Sequence, residues 1–149
     1  MVNIERNALV LYGPDKMYDL VRDVRRYPEF LSWCSGSKVL EESDEHQIAS
    51  LRLKVAGMET AFITRNEMVP NERLEMHLQD GPFTQLEGAW SFAPLGDVGC
   101  KVTLSMAFEF NQRWLAAAFS QGFIRVADRL VDDFCRRADQ VYTQAQAQV

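Results

Sequence analysis

The hydrophobic period of this chain changes along its length, and the last change constrains the fold most. Leu115, Phe119, Phe123, Val126, Leu130, Phe134, Ala138 and Val141 step by three or four residues, which predicts one apolar stripe on a long helix from about Asn111 to Tyr142. Asp128, Arg129, Asp132, Asp133, Arg136 and Arg137 occupy much of the remaining surface, and Asn111 is the expected N-cap. A one-sided helix of this length must lay its stripe on something. The residues before it supply a partner, because their period is two. Ala49, Leu51, Leu53 and Val55 alternate with Ser50, Arg52 and Lys54, and Glu59–Val69 follows with weaker alternation. Leu74, Met76 and Leu78 then alternate with Arg73, Glu75, His77 and Gln79. Phe83–Phe92 carries Leu86, Gly88, Trp90 and Phe92 on one side, and Val102, Leu104, Met106, Phe108 and Phe110 line one face of the clearest strand. Gly57, Pro70-Asn71, Asp80-Gly81-Pro82 and Pro94–Gly99 mark short turns between these runs, which predicts an antiparallel meander.

The first forty residues are less regular. Asn3–Leu11 reads as a strand with poor alternation, and Gly13-Pro14-Asp15 ends it and opens a helix carrying Met17, Leu20, Val21 and Val24. Pro28 interrupts that pattern, so Arg26–Leu31 is expected to form a separate short turn of helix. The expected class is therefore α+β: an antiparallel sheet whose apolar face the long C-terminal helix covers; if the sheet is strongly curved around that helix, the two short helices near the N-terminus would plug one open side. No repeat or linker divides the chain, and 149 residues suit a single domain over 1–149, with the TQAQAQV tail fraying from about residue 143.

Composition and charge narrow the function. The net charge of -5 argues against DNA as a partner, and Arg22, Arg25 and Arg26 form one local basic cluster. No apolar run approaches the ~20 residues that span a bilayer, and the start MVNIERNALVLYG lacks the pattern of a signal peptide. Cytoplasmic residence is the expectation, with a peripheral contact at the inner membrane left open. Cys34, Cys100 and Cys135 are widely spaced and without a C-x-x-C pair, as suits buried, reduced thiols. His46 and His77 stand apart from other ligand types, so no metal site is expected. Cys34 has no base partner in the pattern and no glycine-rich phosphate loop opens a helix, so no catalytic residue, no cofactor and no enzymatic activity are expected.

Tyr27, Phe30, Leu31 and Trp33 crowd a segment too short and too broken for a core helix. The stretches YPEFLSWCSGSKVLEE (27–42), GPFTQLEGAWSFAPL (81–95) and TLSMAFEF (103–110), followed by the long terminal helix, resemble the START-like polyketide cyclase/coenzyme Q-binding family. The resemblance runs from about Val2 to Tyr142; Ser32 stands where the family pattern has a proline before the tryptophan. That family includes ubiquinone-binding respiratory proteins and a bacterial ribosome-association toxin. The resemblance implies a helix-grip (START/Bet v 1-like) fold enclosing a hydrophobic tunnel. Leu53, Met76, Leu78, Phe83, Leu86, Trp90, Leu104, Met106 and Phe108 would line it from the sheet, and Phe119, Phe123, Val126 and Leu130 from the helix. From the residues alone, a solid core and a void are both open. Tyr27, Phe30, Leu31 and Trp33 would form a lid over the mouth or seal the end of the core. The function implied first is binding of a hydrophobic small molecule, a ubiquinone-like prenylated quinone, as a carrier or chaperone supporting respiration, with transient membrane contact open. The alternative is a toxin that binds the large ribosomal subunit and blocks subunit joining; the acidic balance favours the first. Cyclase chemistry is disfavoured by the missing catalytic pairs, and nothing in the sequence bears on oligomeric state.

Overall fold

The computed structural model describes residues 1–55 and 57–143. A strand, β1 (Val2–Val10), leads into α1 (Pro14–Arg22) and a 3₁₀ turn over Val24–Glu29. Six strands follow: β2 (Cys34–Glu42), β3 (His46–Val55), β4 (Met58–Val69), β5 (Arg73–Asp80), β6 (Phe83–Leu95) and β7 (Gly99–Phe110). The helix α2 (Arg113–Ala138) ends in a π-type turn, Asp139–Thr143. All seven strands form one antiparallel sheet in the order β1-β7-β6-β5-β4-β3-β2, so the meander is complete and β1 returns to pair with β7. The sheet grips α2, which packs on β1, β7, β3 and α1.

The helix is held by its stripe and tied at its edges. Leu115, Phe119, Phe123, Leu130, Phe134 and Ala138 are buried. Arg6 of β1 pairs with Asp128, Tyr12 donates to Asp139 at 2.7 Å, and Tyr142 donates to the Lys16 carbonyl at 2.6 Å. Gly122 lets the backbone of α2 lie against the end of β3: a Cβ there would sit 1.9 Å from Val55 Cγ1. A side chain there would force Val55 or the helix to shift.

Several boundaries differ from the sequence expectation, each for a local reason. β2 has no clean alternation because it is an edge strand with register shifts at Cys34/Gly36 and Val39/Glu41, and a bulge moves side chains out of phase. β6 runs through Pro94 to Leu95, past the expected turn. β5 pairs with β6 only as far as Ser91, so the end of β6 is a free edge where a residue without an N–H costs no ladder bond. The helix cap falls at Gln112 rather than Asn111, because the Asn111 N–H is spent on the Pro82 carbonyl at 2.9 Å and keeps that residue in the strand layer. The short N-terminal turn is 3₁₀ and begins at Val24; its hydrogen bonding reaches Leu31, whose N–H meets the Tyr27 carbonyl at 2.9 Å. Beyond Thr143, the tail expected to fray lies outside the described residues.

Candidate functional site: an apolar cavity and its polar backing

Two aromatic clusters meet inside the grip. Phe83, Phe108, Phe110 and Phe123 form one, with ring centroids 4.5 Å apart for Phe108–Phe123 and 4.7 Å for Phe83–Phe110. Tyr27, Phe30, Trp90 and Phe134 form the other, with Phe134 centred 5.1 Å from Trp90, 5.2 Å from Phe30 and 5.4 Å from Tyr27. Members of both clusters border an apolar cavity of about 50 Å³. The sheet contributes Leu51, Phe62, Thr64, Met76, Leu86, Gly88, Trp90 and Met106 to its wall. The helix contributes Phe123, Val126, Ala127, Leu130 and Phe134, and the segment around the 3₁₀ turn contributes Tyr27 and Trp33. Among the described residues no charged side chain lines it.

Of the expected tunnel residues, Met76, Leu86, Trp90, Met106, Phe123, Val126 and Leu130 are brought together around this void. Leu53, Phe83, Leu104, Phe108 and Phe119 are buried in packed core away from it, and Leu78 is a partly buried neighbour of that core. Strand parity puts Leu53, Leu78, Leu104 and Phe108 on the inner face, the register shift at Phe83/Gln85 brings Phe83 there too, and Phe119 faces them from α2; neither pattern says how far along an element a void lies. Of the mouth residues, Tyr27 and Trp33 reach the cavity wall. Leu31 is fully packed, and Phe30 lies between Tyr27, Phe134 and the Arg137 guanidinium.

Behind the wall runs a buried polar chain that hydrophobic patterning passes over. The Thr64 hydroxyl donates to Asn66 Oδ1 at 3.0 Å, and Asn66 Nδ2 donates to Gln47 Oε1 at 2.8 Å. Gln47 Nε2 then donates to Glu42 Oε2 at 2.8 Å and to the Arg22 carbonyl at 2.9 Å. Glu42 is paired in turn with Arg25 at 3.4 Å and Arg22 at 3.7 Å. The signal was present: Gln47 is in phase with Ala49, Leu51 and Leu53, and Thr64 and Asn66 with Phe62 and Met68, so all three had to point inward. Three buried polar atoms have no hydrogen-bond partner among the described residues: Tyr18 Oη, Trp33 Nε1 and Arg137 Nε. Of these residues, Trp33 is the one in the cavity wall.

Among the described residues, burial leaves each cysteine thiol harder to ionise, not easier. Burial pushes the Cys34 thiol up from its ordinary value, and its hydrogen-bond partner is the Gly36 carbonyl at 3.3 Å rather than a base. Burial also pushes the Tyr27 hydroxyl up, and that hydroxyl donates to the Val21 carbonyl. Cys34 and Cys100 are buried free thiols and Cys135 is half-buried. His77 is not isolated, as the sequence suggests. It lies 3.6 Å from Glu75 and 4.0 Å from Glu67, and ligand atoms of the three lie within 4.8 Å of one another. This is the one grouping among the described residues with metal-ligand spacing. Both carboxylates are also claimed by Arg73 and Arg65.

A grip of sheet on helix around an apolar void defines the class of protein, and comparison with known proteins agrees. Residues 10–135 match the family described as polyketide cyclase / dehydrase and lipid transport, and the chain belongs to that family. It is 44% identical over 94% of its length, and 97% of the relative's, to the ribosome association toxin RatA of Pseudomonas aeruginosa. It is 29% identical to the mitochondrial coenzyme Q-binding protein COQ10 homolog B of Xenopus laevis, over 95% of this chain and 59% of that one. Among solved structures, the Zhui aromatase/cyclase from Streptomyces sp. R1128 superposes with a TM-score of 0.82 over 93% of this chain and 94% of that one. At 16% identity the likeness shows the helix-grip fold and no more. Among the described residues no helix is long and apolar enough to cross a membrane.

Proposed function

We propose that the protein acts on the large ribosomal subunit, binding it and hindering subunit joining. The observation that carries this reading is the end-to-end likeness, at 44% identity, to a protein named for ribosome association, set against 29% identity and partial coverage for the coenzyme Q-binding relative. The geometry supports the same order. A void of about 50 Å³ is far below the ~300–1,000 Å³ of typical small-molecule sites. The interior is given mainly to packing, and function falls to the surface. With no activated nucleophile in the site, the protein acts by occupying a surface rather than by chemistry. The test is sedimentation of purified large and small subunits under joining conditions with increasing protein. The protein should travel with the large subunit while the joined peak declines. Protein left at the top of the gradient, with the joined peak unchanged, would refute the reading.

The cavity wall favours a second reading. A partly enclosed apolar void, lined by no charged side chain among the described residues, suits an uncharged apolar molecule, and a prenylated quinone is what the family resemblance implies. A long tail would have to displace Tyr27, Phe30 and Trp33 and rearrange Met76 and Met106, whose flexible thioethers adapt readily. Native mass spectrometry of protein purified from its own host tests this. A co-purifying prenylquinone supports it, and a bare protein mass with no quinone in the solvent extract rejects it.

A further inference from the structure

We infer that Trp33 is the polar anchor of the cavity, and that the molecule it selects is neutral, apolar and equipped with a carbonyl or ether oxygen. The inference rests on the second reading above and adds the chemistry of recognition. Trp33 is 9% exposed, stands in the cavity wall, and its indole N–H has no hydrogen-bond partner. A buried donor left unpaired costs about as much as a lost hydrogen bond, and folded proteins rarely leave one without a role. Indole donates and cannot accept, so its partner must be an acceptor.

The rest of the wall sharpens the choice. The Tyr27 hydroxyl proton is spent on the Val21 carbonyl, and the Thr64 proton on Asn66 Oδ1. Thr64 therefore meets a ligand as an acceptor. A carboxylate would satisfy Trp33, but among the described residues no cation lines the cavity, and an ion moved there from water loses its hydration uncompensated. Free fatty acids are thus excluded on charge, whereas ketones, quinones and esters satisfy the donor without that penalty.

Three shape-matched probes separate the possibilities: acetophenone, ethylbenzene and benzoate, titrated into ¹⁵N-labelled protein. Acetophenone should move the Trp33 indole N–H resonance downfield, with the resonance assigned by its loss in Trp33→Phe. That substitution should weaken acetophenone about five- to tenfold, as expected for one net hydrogen bond, and leave ethylbenzene within about twofold. Benzoate should not bind. If ethylbenzene and acetophenone both bind but the indole resonance stays still, or if Trp33→Phe weakens both alike, the anchor is refuted while the ligand-binding reading stands. Binding of benzoate as tight as that of acetophenone refutes the selection for neutral molecules. If none of the three binds, the ligand-binding reading fails and the anchor fails with it. If Trp33→Phe does not fold, NOE contacts from the indole proton to the neighbouring wall side chains assign the resonance, and its wild-type shift still decides the matter.

Discussion

Val126→Phe separates a real void from a solid core. Val126 lies on α2 and lines the cavity of about 50 Å³. One water needs roughly 10–15 Å³ of such space, so the void has room for much of an enlarged side chain. Phenylalanine adds about four carbons, and at about 0.8 kcal/mol per buried methylene-sized group they contribute up to about 3 kcal/mol. Enlarging a core side chain also costs about 1–3 kcal/mol in rotamer and backbone adjustment. The two terms nearly cancel, so Val126→Phe should lie within about 1 kcal/mol of the parent. Val131 provides the control on the same helix. It is 2% exposed and does not line the void, so Val131→Phe has no room and should lose about 1–3 kcal/mol.

Urea unfolding of both variants provides the assay, with the slope checked for constancy so that midpoints report stability. In a thermal scan each kcal/mol appears as about 2–4 °C for a chain of this size. Acetophenone affinity should fall at least tenfold in Val126→Phe, because the added ring takes the ligand's space. Equal losses in the two variants, each of about 2 kcal/mol or more, would mean that the void is packed in solution and would refute the reasoning.

The polar chain, the thiols and the arginines give three further tests. Gln47→Leu removes the acceptor of Asn66 Nδ2 and the donor to Glu42; it should lose about 1–3 kcal/mol in urea unfolding. The pair Gln47→Leu/Asn66→Leu should lose less than the sum of the two singles, and strict additivity would show that the residues do not act as one network. Burial above all, with Asp132, Asp139 and Cys100 behind it, pushes the Cys135 thiol from 9.0 up to about 11. The folded protein therefore keeps a proton that the unfolded chain sheds; this contribution is complete below about pH 9 and is lost as pH rises through about 11. Urea midpoints should fall over that window, less steeply in Cys135→Ala, and identical slopes would contradict the assignment. Arg22, Arg25 and Arg26 are matched to Glu42, Asp23 and Glu29, so replacing all three by glutamine should leave the salt dependence of ribosome co-sedimentation unchanged. A slope flattened by about two to three would make them phosphate contacts.

The sheet and α2 were legible because burial on one side leaves a period. β3, β5, β6 and β7 alternate in sequence, and the stripe from Leu115 to Ala138 marks the one face of α2 that the sheet covers. Period fails where burial is not one-sided. β2 is a bulged edge strand, whereas α1 was legible because Met17 and Val21 fall at helical spacing on its buried face. At the site, parity named the facing residues but not the height of the void, so Leu86 and Trp90 line it while Leu104 and Phe108 do not. Gln47, Thr64 and Asn66 were missed because a polar residue in phase with an apolar face reads as noise until its partner on the next strand is seen.

The size of the void depends on very few atoms. Gly88 faces Met76 across β5 and β6, and a Cβ on Gly88 would sit 2.6 Å from Met76 Cε. The space between sheet and helix at this level is therefore sensitive to one absent methyl and to two flexible side chains, Met76 and Met106, both in the wall. The ladder pairing and the stripe on α2 do not depend on them. A substitution at Gly88 or at either methionine can enlarge or close the void while the grip stays as it is. That independence gives a physical reason why one fold serves relatives named for ribosome association and for coenzyme Q binding: interior volume and outer surface vary separately on a common frame.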